Sequence, residues 1–135
     1  MRKGGKEIMI YDLLLLGISL LFVGFIFKKI LPGRGVGQME TEELHKEMKD
    51  NKDNLQLIDV RQPEKYAQYH IHGFRNIPLK YIRKQAKELD PEKKTIVVCR
   101  TGQQSNEACK RLKNRGIKDI HFLRRGMSGW EPPSL

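Results

Sequence analysis

Thr95-Ile96-Val97-Val98-Cys99-Arg100-Thr101-Gly102-Gln103-Gln104-Ser105 is the stretch on which the fold of this chain turns. Four consecutive β-branched residues have the composition of a strand buried on both faces, and that strand ends at Cys99. The next residues are polar, contain one glycine and run directly into a helical pattern from Gln104 to Arg115. Ala108, Cys109 and Leu112 share one face of that helix, and Gly116 follows as a stop. A cysteine at the carboxyl end of a buried parallel strand stands where open α/β sheets put their ligand sites. Such a loop can turn successive backbone N–H groups inward as an anion-binding nest, with the positive end of a helix behind it. The same field favours thiolate over thiol and makes the sulfur a nucleophile. The competing interpretation is a buried structural cysteine, the usual fate of a free thiol. This stretch alone leaves both open.

Outward from it, the pattern alternates. Thr41-Glu42-Glu43 opens a helix with Leu44 and Met48 four apart, fading at Asp50. Leu55 to Val60 reads as a mostly apolar strand closed by Pro63, and His70 to Pro78 as a loop with a short strand at Asn76-Ile77. Tyr81 to Leu89 is a helix stopped by Asp90-Pro91, Ile117 to Leu123 a last strand, and Gly126 to Trp130 a short helical turn. Strands alternating with helices predict an α/β domain with a central, mostly parallel sheet flanked by helices.

The 135 residues are enough for one such domain and no more, because the N-terminal quarter is of another kind. Residues 8–27 contain a single charge, Asp12, and Leu13 to Phe27 contain none. Twenty apolar residues match the hydrocarbon thickness of a bilayer, and Asp12 falls near an interface. Lys28 and Lys29 stop the span, and Pro32 to Gly37 reads as a flexible exit. A cleaved signal would want an Ala-x-Ala-type site after Phe27, which is absent. The expected organisation is a basic flank over residues 1–7, a transmembrane helix over 8–27, a linker over 28–37 and the globular domain over 38–135. Basic residues on the two sides of the span nearly balance, so a cytoplasmic domain is expected mainly from the chemistry of Cys99.

The net charge of +10 is carried by both parts, +4 in residues 1–35 and +6 in the rest. In the domain the cations are interleaved with acids, as in Lys80 to Lys94, which reads as a solvated helix face. No RNA-module signature and no paired-cysteine zinc spacing accompany them, so neither nucleic acid nor a metal is expected. Two cysteines, Cys99 and Cys109, are too few for a disulfide framework.

Five segments, in order, resemble the rhodanese (thiosulfate sulfurtransferase) family in its single-domain, membrane-anchored bacterial form, over about residues 38–131. They are Leu57-Ile58-Asp59-Val60-Arg61 with Glu64 and Tyr66; His70-Ile71-His72-Gly73-Phe74 with Asn76-Ile77-Pro78; the strand and loop at Cys99; the helix after it; and Gly126-Met127-Ser128-Gly129-Trp130. The resemblance implies that Cys99 takes a sulfane sulfur from a small anionic donor such as thiosulfate, holds it as a persulfide and passes it to a thiol or protein acceptor. It implies that the loop from Arg100 through Thr101, Gly102, Gln103 and Gln104 to Ser105 cradles the donor, without metal or organic cofactor. Asp59, Arg61 and His70 are expected in supporting roles, Asp59 and Arg61 as a pair and His70 as an organiser of its loop. Related cell-cycle phosphatases have a loop one residue longer, and their arginine falls at Ser105. Many rhodaneses have arginine five places after the cysteine, where this chain has Gln104. A non-catalytic rhodanese-like binding module is the alternative in another class; the presence of Cys99 and a full-length loop favours the enzyme. Cys109, about 15 Å of helical rise from Cys99, is expected to pack and not to resolve a disulfide. His45, His72 and His121 lack ligand spacing and are expected at the surface. Met127 and Trp130 can either line the pocket mouth or cap the core.

Overall fold

The computed structural model describes residues 4–30 and 35–132, with side chains described in the first segment as far as Ile26. It divides into two units, residues 1–33 and 34–135. The first is one helix, α1 (Gly4–Ile30), whose Gly4–Ile26 stretch contains an 18-residue window of mean hydropathy 2.3 and is long and apolar enough to cross a membrane. Its apolar side chains from Ile8 to Ile26 are exposed. Of the expected linker, residues 31–34 lie outside the described residues.

The second unit is the α/β domain. Its chain order is β1 (Gly37–Met39), α2 (Thr41–Asp50), β2 (Leu55–Asp59), α3 (Pro63–Gln68), β3 (Arg75–Asn76), α4 (Ile82–Gln85), β4 (Lys94–Val98), α5 (Gln103–Asn114) and β5 (Ile120–Leu123). The five strands form one parallel sheet in the order β1-β5-β4-β2-β3, so β4 lies at its centre. Because side chains alternate along a strand, β4 feeds two cores. Ile96 and Val98 join Met39, Leu44, Ile71, Phe74 and Leu123 on one face. Val97 and Cys99 join Ile82, Ala108, Cys109, Leu112 and Phe122 on the other. Both layers are almost fully buried, and this double burial explains the unbroken apolar run of β4.

Several elements differ from expectation. β1 begins at Gly37, inside the predicted linker, and is a strand only because Gly37 to Met39 pair with His121 to Leu123 of β5. Pro63 opens α3; proline is favoured at a first helical position, where its missing N–H costs nothing. The helix expected over Tyr81–Leu89 is one α-turn, α4, between two 3₁₀ turns. The last strand begins at Ile120, three residues later than the pattern indicates. His45 and His121 are half-buried, not on the surface: His45 meets Trp130 edge-on at 4.6 Å, and His121 pairs with Asp119 at 2.7 Å. His72 is exposed.

Candidate active site

β4 delivers Cys99 to the carboxyl edge of the sheet with 1% of its surface exposed. The chain then turns back over the sulfur before entering α5. Two backbone donors reach Sγ, Gly102 N–H at 3.0 Å and Ser105 N–H at 3.3 Å. Ser105 Oγ lies 3.2 Å from the sulfur and donates to the Gly102 carbonyl at 3.0 Å. Ser105 is itself fully buried, so its hydroxyl must find its partners within this loop. The sulfur thus sits between two backbone N–H donors and the Ser105 hydroxyl oxygen at the start of a helix, where the N–H groups and the helix end favour negative charge.

Two glycines make the loop possible. Gly102 has φ +101°, and a Cβ there would stand 2.4 Å from the Arg124 carbonyl oxygen. Gly126 has φ +55°, and a Cβ there would stand 2.3 Å from the Cys99 carbonyl oxygen. The turn that begins at Gly126 braces the loop from behind: Met127 N–H donates to the Cys99 carbonyl at 2.7 Å and Ser128 N–H to the Arg100 carbonyl at 2.9 Å. Sequence reading found this segment but not its task.

The neighbouring strand end supplies the second wall. Asp59 is fully buried and holds Arg61 with both carboxylate oxygens, at 2.8 to 3.1 Å. Arg61 N–H also donates to Asp59 at 3.0 Å, and its guanidinium donates to the Tyr69 carbonyl at 2.7 Å. A buried carboxylate is tolerable only with such a partner, so this pair is structural as well as local to the site. His70 Nδ1 donates to the Tyr66 carbonyl, 2.9 Å away, and the ring stacks on that of Tyr66 at 3.9 Å. It organises the end of α3.

Between these walls is a cavity of about 310 Å³ lined by Arg61, Gln62 and Lys65 on one side and by Cys99, Arg100, Thr101, Gln103 and Gln104 on the other. Gly102 and Ser105 complete the loop by touching the sulfur from within. Gln62 and Lys65 are the lining residues that sequence reading missed; their signal was the helix that Pro63 starts just after the Asp59-Arg61 pair. Met127 and Trp130 pack on the core opposite, and Trp130 borders a separate apolar cavity of about 810 Å³ with Met48, Tyr69 and Ile71. That larger cavity contains no cysteine. Cys109 is fully buried and donates to the His121 carbonyl at 3.6 Å. Burial pushes its thiol well above the ordinary range, with the charge of Cys99 adding to the effect, so Cys109 is a packing residue. Among the described residues no group of three or more His, Cys, Asp or Glu is gathered as a metal site.

Replacing Gly126 by alanine tests the brace. The added methyl meets carbonyl backbone that cannot rotate away, in a conformation side chains rarely adopt. Loss of about 2 kcal/mol or more is expected as a lowered urea midpoint, with iodoacetamide reacting at Cys99 at an altered rate. An unchanged midpoint and rate would show that the turn does not set the loop.

A family model for the rhodanese-like domain matches residues 40–132. A sulfurtransferase of Allochromatium vinosum is 30% identical over 95 residues, covering 70% of this chain and 88% of that protein. YrkF of Bacillus subtilis is 33% identical over 88 residues, covering 65% of this chain and 48% of its own length. The chain therefore spans about half the length, or less, of two curated relatives it matches. The crystal structure of a rhodanese-like domain protein from Staphylococcus aureus superposes with a TM-score of 0.66 at 25% identity, covering 74% of this chain and 96% of the other. A central parallel strand ending in a cysteine, a tight loop folded over its sulfur, and a match across nearly the whole globular unit agree: this chain belongs to the rhodanese-like domain family.

Proposed function

We propose that the domain is a sulfurtransferase in which Cys99 carries the sulfur. The observation that carries this reading is the pair of backbone donors, Gly102 N–H and Ser105 N–H, converging on Cys99 Sγ at 3.0 and 3.3 Å. Sulfurtransferase relatives such as that of Allochromatium vinosum support it. In the first half-reaction the Cys99 thiolate attacks the outer sulfur of thiosulfate. The S–S bond of the donor breaks, sulfite leaves with its electron pair, and Cys99 becomes a persulfide anion. In the second, an acceptor thiolate attacks the terminal persulfide sulfur and Cys99 leaves as thiolate. Charge and sulfur balance in both steps, and the loop donors hydrogen-bond whichever sulfur carries the negative charge. Arg100, Thr101, Gln103 and Gln104 face the donor across the cavity, and Arg61, held by Asp59, stands on the wall opposite; His70 borders the larger cavity instead and supports α3. No metal or organic cofactor enters either step. The acceptor is a small thiol or a protein thiol.

Mass spectrometry of the full chain in nonionic detergent after exposure to thiosulfate tests this directly. One added sulfur on Cys99 is the expected result, and none in a folded protein overturns the reading. Cys99→Ser abolishes transfer, since an alcohol cannot form the persulfide, whereas folded Cys109→Ser retains most of it.

Gln104→Arg strengthens thiosulfate use, because a guanidinium at the cavity wall adds a charge-assisted hydrogen bond to a dianion. Such a bond is worth about 1.5–3 kcal/mol, or roughly ten- to hundredfold in kcat/KM if fully expressed, and solvent at the mouth keeps it near the lower end. Steady-state kinetics showing unchanged or weaker turnover would remove Gln104 from the anion-facing position.

Helix α1 anchors the domain to a membrane in this reading, by its length and apolarity and the exposure of its side chains. The stretch between Ile30, the last residue of α1, and Gly37, the first of β1, joins it to the domain. The domain faces the cytoplasm, where reductant keeps a persulfide-forming thiol in use. Protease added to intact cells therefore spares a C-terminal tag, and its rapid loss would reverse the orientation.

A further inference from the structure

The sulfur chemistry leaves the larger cavity of the domain unused. At about 810 Å³ it is within the range that takes a drug-sized organic ligand, and far larger than a small inorganic anion fills. One wall is a face of α2, where His45, Met48 and Lys49 stand at i, i+3 and i+4. The other is the stretch from Tyr69 to His72, with Trp130. The floor is carbon. Met48, Ile71 and Trp130 pack on the core beneath, and Tyr69, 53% exposed, leaves a large ring in the open. The polar groups around it are mostly basic. Lys46 and Lys49 are exposed, and among the described residues neither makes an ion pair. Asp50 is the single acid of the lining. The ring of His45 lies edge-on against Trp130 at 4.6 Å, and its Nε2 is covered, with no hydrogen-bond partner among the described residues. Buried polar atoms almost always have a partner, so an orphan at a cavity wall marks a point that a ligand atom can complete. In one tautomer Nε2 carries a proton and donates to an anion.

We infer that this cavity binds a free fatty carboxylate, with its chain over Met48, Ile71 and Trp130 and its head at His45 Nε2 and the ammonium groups of Lys46 and Lys49. The basic lining selects a carboxylate over a neutral lipid. The concave shape selects a single chain over the flat surface of a bilayer. Supply is local under the reading that α1 anchors the chain, because the domain is then tethered to the phase in which such molecules dissolve, and their effective concentration rises. Burial of the chain drives binding, and the head adds an increment that weakens as salt rises.

Trp130 is the only tryptophan of the chain and lines the cavity, so its fluorescence reports occupancy. The full chain in phosphatidylcholine nanodiscs is titrated with 11-bromoundecanoate, whose bromine quenches an indole only at close range, and with 11-bromoundecanol, its neutral counterpart. Saturable quenching by the carboxylate is expected, reversed by undecanoate, which has no bromine. The double variant Lys46→Gln, Lys49→Gln weakens binding of the carboxylate about threefold to tenfold and leaves that of the alcohol unchanged, as the loss of two charges beside water should. Lys84→Gln, on an exposed residue of α4 outside the cavity, matches wild type. Quenching that rises linearly, that undecanoate does not reverse, or that the folded double variant does not weaken overturns the proposal. So does quenching of Trp130 by dibrominated phosphatidylcholine in discs without added carboxylate, since this face then rests on the bilayer. A chain that stays out of the discs refutes the anchor alone, and the same titration in buffer still reads the cavity. No readout involves Cys99, so the sulfurtransferase reading stands or falls separately.

Discussion

The closure of residues 99–105 around one sulfur atom is the constraint on which the rest of the domain depends. A backbone path that aims Gly102 N–H and Ser105 N–H at the same point is not one that a chain adopts for local reasons. It needs a left-handed residue at Gly102, and it needs Gly126 to let a second turn approach within contact of the Cys99 carbonyl. It also needs a rigid origin, which β4 provides by being buried on both faces of a five-stranded sheet. The order of the strands follows the same logic. The cysteine leaves the middle of the sheet, where neighbouring strands fix its position from both sides.

What could be read from the sequence follows from how local each signal is. β4 and its loop were legible because the apolar run, the cysteine, the glycine and the helix that follows are consecutive. α2 and α5 were legible from a single apolar stripe each. β1 was not, since three residues show no period and Gly37 to Met39 become a strand only through pairing with β5. α3 is hidden for another reason: a proline just after a strand marks its end equally well whether a loop or a helix follows, and Pro63 is the favoured first residue of a helix. The broken helix at Tyr81–Leu89 shows the reverse case: Ile82, Ala86 and Leu89 have the i, i+4, i+7 spacing of an α-helical stripe and are buried together, yet the segment is one α-turn between two 3₁₀ turns.

The site divides in the same way. Cys99 and its loop are neighbours in sequence, and the pairing expected of Asp59 with Arg61 is between residues two apart, as the hydrogen bonds have it. Lys65 is different. It is one of 26 lysines and arginines, and nothing local separates it from the others that only solvate a helix face. Its position matters because α3 lies against the mouth of a cavity whose opposite wall comes from residues 34 to 39 positions away. A charge acquires a role here from what surrounds it, and surroundings are the part of the fold that pattern reading does not reach.

A fixed arginine within the loop and a flexible lysine across from it are different solutions to holding an anion. A guanidinium at position 104 would stand close to the sulfur and present a rigid fork, which suits a small, highly charged donor of one shape. Glutamine there leaves Arg100 at the loop and Lys65 on the wall opposite, both exposed, as the cations that line the cavity beside the paired Arg61. Under the reading proposed above, such a cavity gives up affinity for a compact dianion and gains tolerance for donors whose charge lies farther from the reacting sulfur. The sulfur-binding ring is unaffected by this choice, because backbone N–H groups and not side chains make it. The chemistry and the selection of the donor are therefore carried by different parts of the structure, and position 104 can change without disturbing the geometry at Cys99.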